Sequence, residues 1–178
     1  MSTTMPARPT FDAFRLARLR ETLRGTATMA DLPRLAESVL DPGASLRYDV
    51  EGRVDHDGHP GAVMKLSGRL PLRCERCNAP VQFALEREVP FRFVQDEQEL
   101  NALPIEDDEV EEVVGSAAMD LLAWVEEEAI LCLPLVPRHE DCAVPFADTA
   151  APADAERPHP FAALAKLRRG DGGGPADG

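Results

Sequence analysis

The strongest constraint on the fold is a long period-two alternation in the middle of the chain. From 62 to 74 the even positions are Ala62, Met64, Leu66, Gly68, Leu70, Leu72 and Cys74, and their odd neighbours include Lys65, Ser67, Arg69 and Arg73. From 81 onward the odd positions take over, with Val81, Phe83, Leu85, Val89, Phe91 and Phe93. A shorter run, "SLRYDVEGRV", sets Leu46, Tyr48 and Val50 against Arg47, Asp49 and Glu51. Successive side chains of a strand point to opposite faces, so this pattern predicts antiparallel strands with one face on a core and one in water. "DHDGHPG" at 55–61 and "CERCNAP" at 74–80 supply the turns. The expected unit is a three-stranded meander, with strands near 45–54, 62–74 and 81–94.

Helices should cover its apolar face. Phe11, Phe14, Leu16, Leu19 and Leu23 recur at roughly helical spacing, predicting a helix over 11–22 with Thr10 as N-cap. A second short helix is expected from Leu32 to Leu40, capped by Asp31 and stopped by Asp41-Pro42-Gly43. Ala118, Leu122, Val125, Ala129 and Cys132 define one buried stripe of a helix near 118–133, ended by Pro134 and Pro137. Glu126, Glu127 and Glu128 are consecutive and fan around that helix, so they read as a solvated face rather than a catalytic carboxylate pair. The fold class is α+β: an antiparallel β-meander packed against helices.

A chain of 178 residues with 44% apolar residues suits a single α+β domain, taken as residues 1–142. Within it, 96–112 carries nine acids and no Lys or Arg, the pattern of a solvated acidic connection and an attraction for a basic partner. Residues 143–178 shift to Ala, Pro, Asp and Gly and are expected to be a disordered tail. Its exception is "HPFAALAKLRR", a short helix over 160–169 whose face of Phe161, Leu164 and Leu167 needs a surface to dock on, because so short a helix is marginal alone.

The net charge of −13 opposes extended wrapping of a phosphate backbone, though local basic residues remain free to touch RNA. The N-terminus lacks a secretory apolar core and no run is long enough to span a bilayer, so the expectation is a cytoplasmic protein without membrane partners. No nucleophile elbow, phosphate loop, His-Glu-x-x-His or dinucleotide fingerprint appears, which argues against an enzyme and against a small-molecule substrate.

Four cysteines carry the remaining chemistry. Cys74-x-x-Cys77 sits in a turn between strands, where no helix N-terminus is at hand to stabilise a thiolate, so redox catalysis is the weaker reading. A tight turn can instead aim two thiolates at one metal, with Asn78 adopting the left-handed backbone that follows such a knuckle. Structural zinc wants four ligands, and His139-x-x-Cys142 offers the other two, with 61 residues between the halves. Cys132 lies on the helical stripe and reads as a core residue, while His56 and His59 occupy the far end of a strand from Cys74. The spacing leaves open a structural zinc or four reduced thiols.

Several stretches occur together: "LAESV" at 35–39, "CERCNAPV" at 74–81, "DLLAWVEEEAILCLPLVPRH" at 120–139, Cys142, and "PHPFAALAKLRR" at 158–169. In this order they resemble the YceD family, the large ribosomal RNA subunit accumulation proteins of bacteria and chloroplasts. The resemblance implies a role in making or accumulating 23S rRNA; with the missing catalytic motifs and the acidic charge pattern, the expectation is a non-enzymatic factor for its synthesis, processing or accumulation, with a large-subunit precursor, its rRNA or a basic ribosomal protein as partner. It also implies that Cys74, Cys77, His139 and Cys142 stand where family members carry such residues. Arg69, Arg73, Arg76 and Arg138, near the cysteine turn, are candidate RNA contacts. Protein-mediated recruitment, with the tail helix contributing, is the preferred route. The competing functions are a zinc-stabilised adaptor unrelated to ribosomes and a thiol oxidoreductase using Cys74 and Cys77.

Overall fold

The computed structural model describes residues 9–103 and 110–143. The expected tail helix at 160–169, with Phe161, Leu164 and Leu167, lies outside the described residues, as do 104–109 of the acidic stretch. In chain order the elements are β1 (Thr10–Phe11), α1 (Ala13–Leu19), β2 (Thr22–Thr28), α2 (Pro33–Ala36), β3 (Ser45–Val54) and β4 (Pro60–Arg73). They continue with β5 (Pro80–Val94), α3 (Glu97–Ala102), β6 (Glu111–Val114), β7 (Met119–Asp120) and α4 (Leu121–Leu131).

The three alternating runs form β3, β4 and β5, paired antiparallel with Met64 opposite both Val50 and Val89. This meander is the centre of a five-stranded sheet of order β2-β3-β4-β5-β6. Strand β2 adds antiparallel to β3, and β6 adds parallel to β5. Neither outer strand was expected. The helix predicted over 11–22 is shorter: Asp12, not Thr10, caps it by accepting from the Arg15 N–H, and Arg20 ends it in the left-handed region at φ 51°. Leu19 consequently points to solvent, and Leu23 leaves the helix for β2, where Thr22, Arg24, Thr26 and Thr28 alternate with Leu23, Gly25 and Ala27. Helix α2 also stops early, at Ala36 rather than Leu40; the Asp31 carboxylate accepts from Thr28, and the N-cap position falls to Leu32.

Part of the acidic stretch is ordered. Asp96 caps α3 through the Glu99 N–H while Glu99 accepts from the Gln95 N–H, a reciprocal arrangement that turns two of the acids into helix-starting groups.

One face of the sheet is covered by α1 and α4. Trp124 stacks on Phe11 at 5.7 Å and meets Phe91 edge-on at 4.7 Å, while Phe14 meets Phe93 at 6.4 Å. Edge-on and offset pairs of this kind add about 0.5–1.5 kcal/mol each beyond their buried area. Helix α1 approaches β3 so closely that a Cβ at Gly52 would run into the Leu16 carbonyl. The other face carries Arg47, Lys65, Arg69 and Arg73 into solvent. Two residues outside this layering tie the N-terminal end to α4: Phe11 pairs with Met119 across β1 and β7, and the Leu121 N–H donates to the Pro9 carbonyl.

Helix α4 is where the sequence reading needs most correction. It runs 121–131, not 118–133; Ala118 is exposed, and Leu122 and Cys132 are only half-buried. The buried residues are Leu121, Trp124, Val125, Glu126, Glu128 and Ala129. Glu126 and Glu128 therefore belong to the covered face, and of the three glutamates only Glu127 is solvated. The physical reason for Glu126 is a partner far away in sequence. Its Oε1 accepts from the backbone N–H groups of Arg34 (2.7 Å) and Leu35 (3.2 Å), and its Oε2 accepts from Arg34 Nε (3.3 Å). A carboxylate from α4 thus satisfies orphan donors in the first turn of α2, a task that α2 has no N-cap side chain to perform.

Candidate metal centre

Cys74 follows β4 and Pro80 opens β5, so the cysteine turn is a tight bend at one end of the longest strand pair. The Cys74 N–H donates to the Ala79 carbonyl (3.0 Å) and the Asn78 N–H to the Cys74 carbonyl (2.9 Å). Asn78 takes the left-handed conformation at φ 60°, as expected for this knuckle. The second pair arrives from the segment after α4. Pro134 and Pro137 keep that segment from continuing the helix, and the Glu75 N–H donates to the Pro137 carbonyl (2.9 Å), laying it against the turn.

The result brings together the four residues that spacing singled out. One donor atom from each of Cys74, Cys77, His139 and Cys142 lies within 4.8 Å of the others. Cys74 Sγ is 3.7 Å from Cys142 Sγ, and Cys77 Sγ is 3.4 Å from His139 Nδ1. A tetrahedral zinc with Zn–S of about 2.3 Å and Zn–N of about 2.0 Å sets S···S near ~3.8 Å and S···N near ~3.6 Å, so the donor set fits such an ion. His139 Nε2 lies 3.0 Å from the Pro80 carbonyl. A carbonyl oxygen only accepts, so Nε2 carries the proton and the Nδ1 lone pair is turned toward Cys77. Cys132 caps the end of α4, outside this cluster.

The electrostatics differ from expectation. The turn has no helix N-terminus, the feature whose absence argued against a stabilised thiolate. Burial does oppose ionisation of Cys74, but backbone N–H groups of Cys77, His139 and Arg76 converge on its sulfur and bring its pKa from 9.0 down to about 5. Burial, and then the adjacent sulfurs of Cys74 and Cys77, push Cys142 up. The converging amides favour the charged form at Cys74, while burial and the neighbouring sulfurs oppose ionisation of Cys142. Cys74 is fully buried, which withholds it from the exchange partners a redox thiol must reach. A buried, amide-stabilised thiolate facing three further donors is suited to holding a cation.

Arg73, Arg76 and Arg138 adjoin the donor residues in the chain, Arg69 stands five residues before Cys74 on β4, and all four are exposed. Arg76 donates to the Cys142 carbonyl at 3.3 Å. None of the four makes an ion pair among the described residues, whereas Arg24, Lys65 and Arg87 do. His59 falls in a second donor group with Asp55 and Asp57, in the turn before β4. There Asp55 accepts from the N–H groups of Asp57 and His59, which accounts for the cluster as turn structure.

Sequence reasoning missed Glu128 and its surroundings. The available signal was Arg87, the one charged residue among the odd positions from 81 to 93. A cation on the apolar face of a strand calls for carboxylates above it, and Glu128 of α4 and Glu111 of β6 both face it.

A family model described as "Large ribosomal RNA subunit accumulation protein YceD" matches residues 62–168. A "Large ribosomal RNA subunit accumulation protein YceD" from Haemophilus influenzae is 33% identical over 170 residues, covering 90% of this chain and 95% of that protein. No solved structure matches.

Proposed function

We propose, for a chain that belongs to the YceD family of large ribosomal RNA subunit accumulation proteins, a non-enzymatic role in the production of 23S rRNA, exercised by docking on large-subunit precursors. The match to that family over most of the chain carries the proposal. The zinc-stabilised adaptor unrelated to ribosomes and the thiol oxidoreductase have no comparable support. Zinc at Cys74, Cys77, His139 and Cys142 is structural in this reading, because four protein donors leave no coordination position for a substrate water. It locks the segment after α4 onto the turn between β4 and β5 and so fixes the surface around it.

That surface is what the protein offers to RNA. On a chain of net charge −13, the exposed guanidinium groups of Arg69, Arg73, Arg76 and Arg138, which make no ion pair among the described residues, form a local exception suited to a few phosphates. Recruitment is a separate task, and the tail residues Phe161, Leu164 and Leu167 remain the proposed docking face for it.

The test is co-sedimentation of the protein with precursor particles, together with the ratio of 23S to 16S rRNA in cells carrying variants. Replacing the four arginines by Gln should leave the melting temperature unchanged and reduce both 23S rRNA and the salt sensitivity of association. Replacing Phe161 and Leu164 by Ala should release the protein from precursors without loss of stability. Normal 23S rRNA in cells lacking the protein altogether would refute the functional assignment.

A further inference from the structure

Away from the candidate metal centre, β5, β6 and the end of α4 border an open cavity of about 450 Å³. Its floor is the point where the alternation of β5 fails: Arg87 stands between Leu85 and Val89 on the apolar face. Glu111 of β6 holds Arg87 at 3.7 Å. Glu128 of α4 lines the same cavity, is 5% exposed, and makes no hydrogen bond or ion pair among the described residues. The walls are Phe83, Leu85 and Leu131.

An unpaired carboxylate in such a place is costly, and side chains that folding alone required would have been apolar. We propose that the cavity receives the cationic side chain, best an arginine, of a basic segment of a protein partner. Its methylene stem lies on Phe83, Leu85 and Leu131, and its guanidinium bridges Glu128 and Glu111 with paired N–H···O bonds. The lining brings two carboxylates, Glu111 and Glu128, against one arginine, so an incoming cation meets an excess of negative charge. The groups that face Glu128 are Glu111 and Arg87 from the sheet and Glu127 and Cys132 from its own helix and cap. Burial first, then repulsion from Glu111, raise Glu128 from 4.5 to about 7, the behaviour of a carboxyl group whose cation is elsewhere. The inference is independent of the zinc and of the arginine surface, and failure of either leaves it intact.

The experiment is fluorescence anisotropy of a dye-labelled arginine-rich peptide, and of its citrulline twin, with the full chain. Glu128→Gln is compared with Glu51→Gln, an exposed and distant acid that removes the same charge. Glu128→Gln should weaken binding about tenfold and Glu51→Gln less than about twofold, with the citrulline twin binding to neither. Affinity of the unaltered protein should rise from about pH 6 to pH 8 more steeply than that of the Glu128→Gln variant, since the cation binds the ionised carboxylate. Arg87→Gln, which removes the resident cation, should strengthen binding more than Arg47→Gln does. Equal losses at Glu128 and Glu51, binding of the citrulline twin, or displacement of the peptide by equimolar spermidine would each overturn the proposal. If Glu128→Gln fails to fold, the contrast between Arg87 and Arg47 decides alone.

Discussion

Glu126 offers the sharpest test of the packing described above. Its side chain is 3% exposed and accepts two backbone N–H groups and one guanidinium N–H, at 2.7, 3.2 and 3.3 Å. Glu126→Ala removes the acceptor for two N–H groups at the start of α2, which stay covered by α4 with no water to replace it. Each buried donor left unsatisfied costs about 1–3 kcal/mol, and removing one member of a buried charged pair costs about 3–5 kcal/mol in all. The Arg34 side chain is half in water and recovers part of its share, so the estimate is about 3–4 kcal/mol. For a domain of this size each kcal/mol lowers the melting temperature by about 2–4 °C, giving a fall of about 10 °C. Glu127→Ala breaks only an exposed pair with Arg34, worth less than about 1 kcal/mol. Glu126→Gln keeps one acceptor but loses the charge and should fall between them. Urea unfolding followed by circular dichroism measures all three. A Glu126→Ala cost under about 1 kcal/mol, or one equal to that of Glu127→Ala, would mean that α2 is not held by this carboxylate.

Three further outcomes follow from the same geometry. Because the folded pKa of Glu128 is raised from 4.5 to about 7, the folded protein binds the extra proton between those values; its contribution is full below about pH 4.5 and is lost as pH rises through 7, so unfolding free energies of the native chain and Glu128→Gln should converge in acid and separate, in favour of the variant, above neutrality. Elemental analysis of protein purified without chelator should find one zinc per chain, and His139→Ala or Cys142→Ser should lower occupancy and make it more sensitive to acid, since thiolates must shed protons to bind; less than about a tenth of an equivalent in the unaltered protein would restore the reading of four reduced thiols. Val125→Asp places an unpaired charge where the side chain is fully covered, and should cost several kcal/mol by urea titration, while a neutral result would mean that α4 faces the other way.

What could be seen in advance depended on how local the signal is. β3, β4 and β5 were legible because alternation is carried by neighbouring residues and repeated over long runs. β2 was hidden because Leu23 completes a helical spacing begun by Leu16 and Leu19, and only the left-handed Arg20 breaks the helix before it. The four donors of the candidate metal centre could be chosen because Cys and His are scarce and their two-residue spacings stand out. Their convergence depends on the Glu75–Pro137 hydrogen bond, which no spacing announces. Glu126 and Glu128 were misplaced for a related reason: a carboxylate is buried only when a distant group repays its lost hydration, and that group lies 92 residues from Glu126 in the sequence. For Glu128 the fold supplies the burial without the partner.

The pairing of β1 with β7 has a consequence for how the chain is made. During synthesis β2 to β5 can assemble in the order they emerge, each strand beside its predecessor. Phe11 must wait for Met119, and although α1 can cover its share of the apolar face early, the part around Phe91 stays bare until α4 arrives with Trp124. At roughly 5–20 residues per second, the first of these waits lasts about 5–20 s. A nascent chain halted before residue 121 therefore presents a formed sheet only partly covered, by α1, a surface for chaperones or for other nascent chains. One more helix closes it.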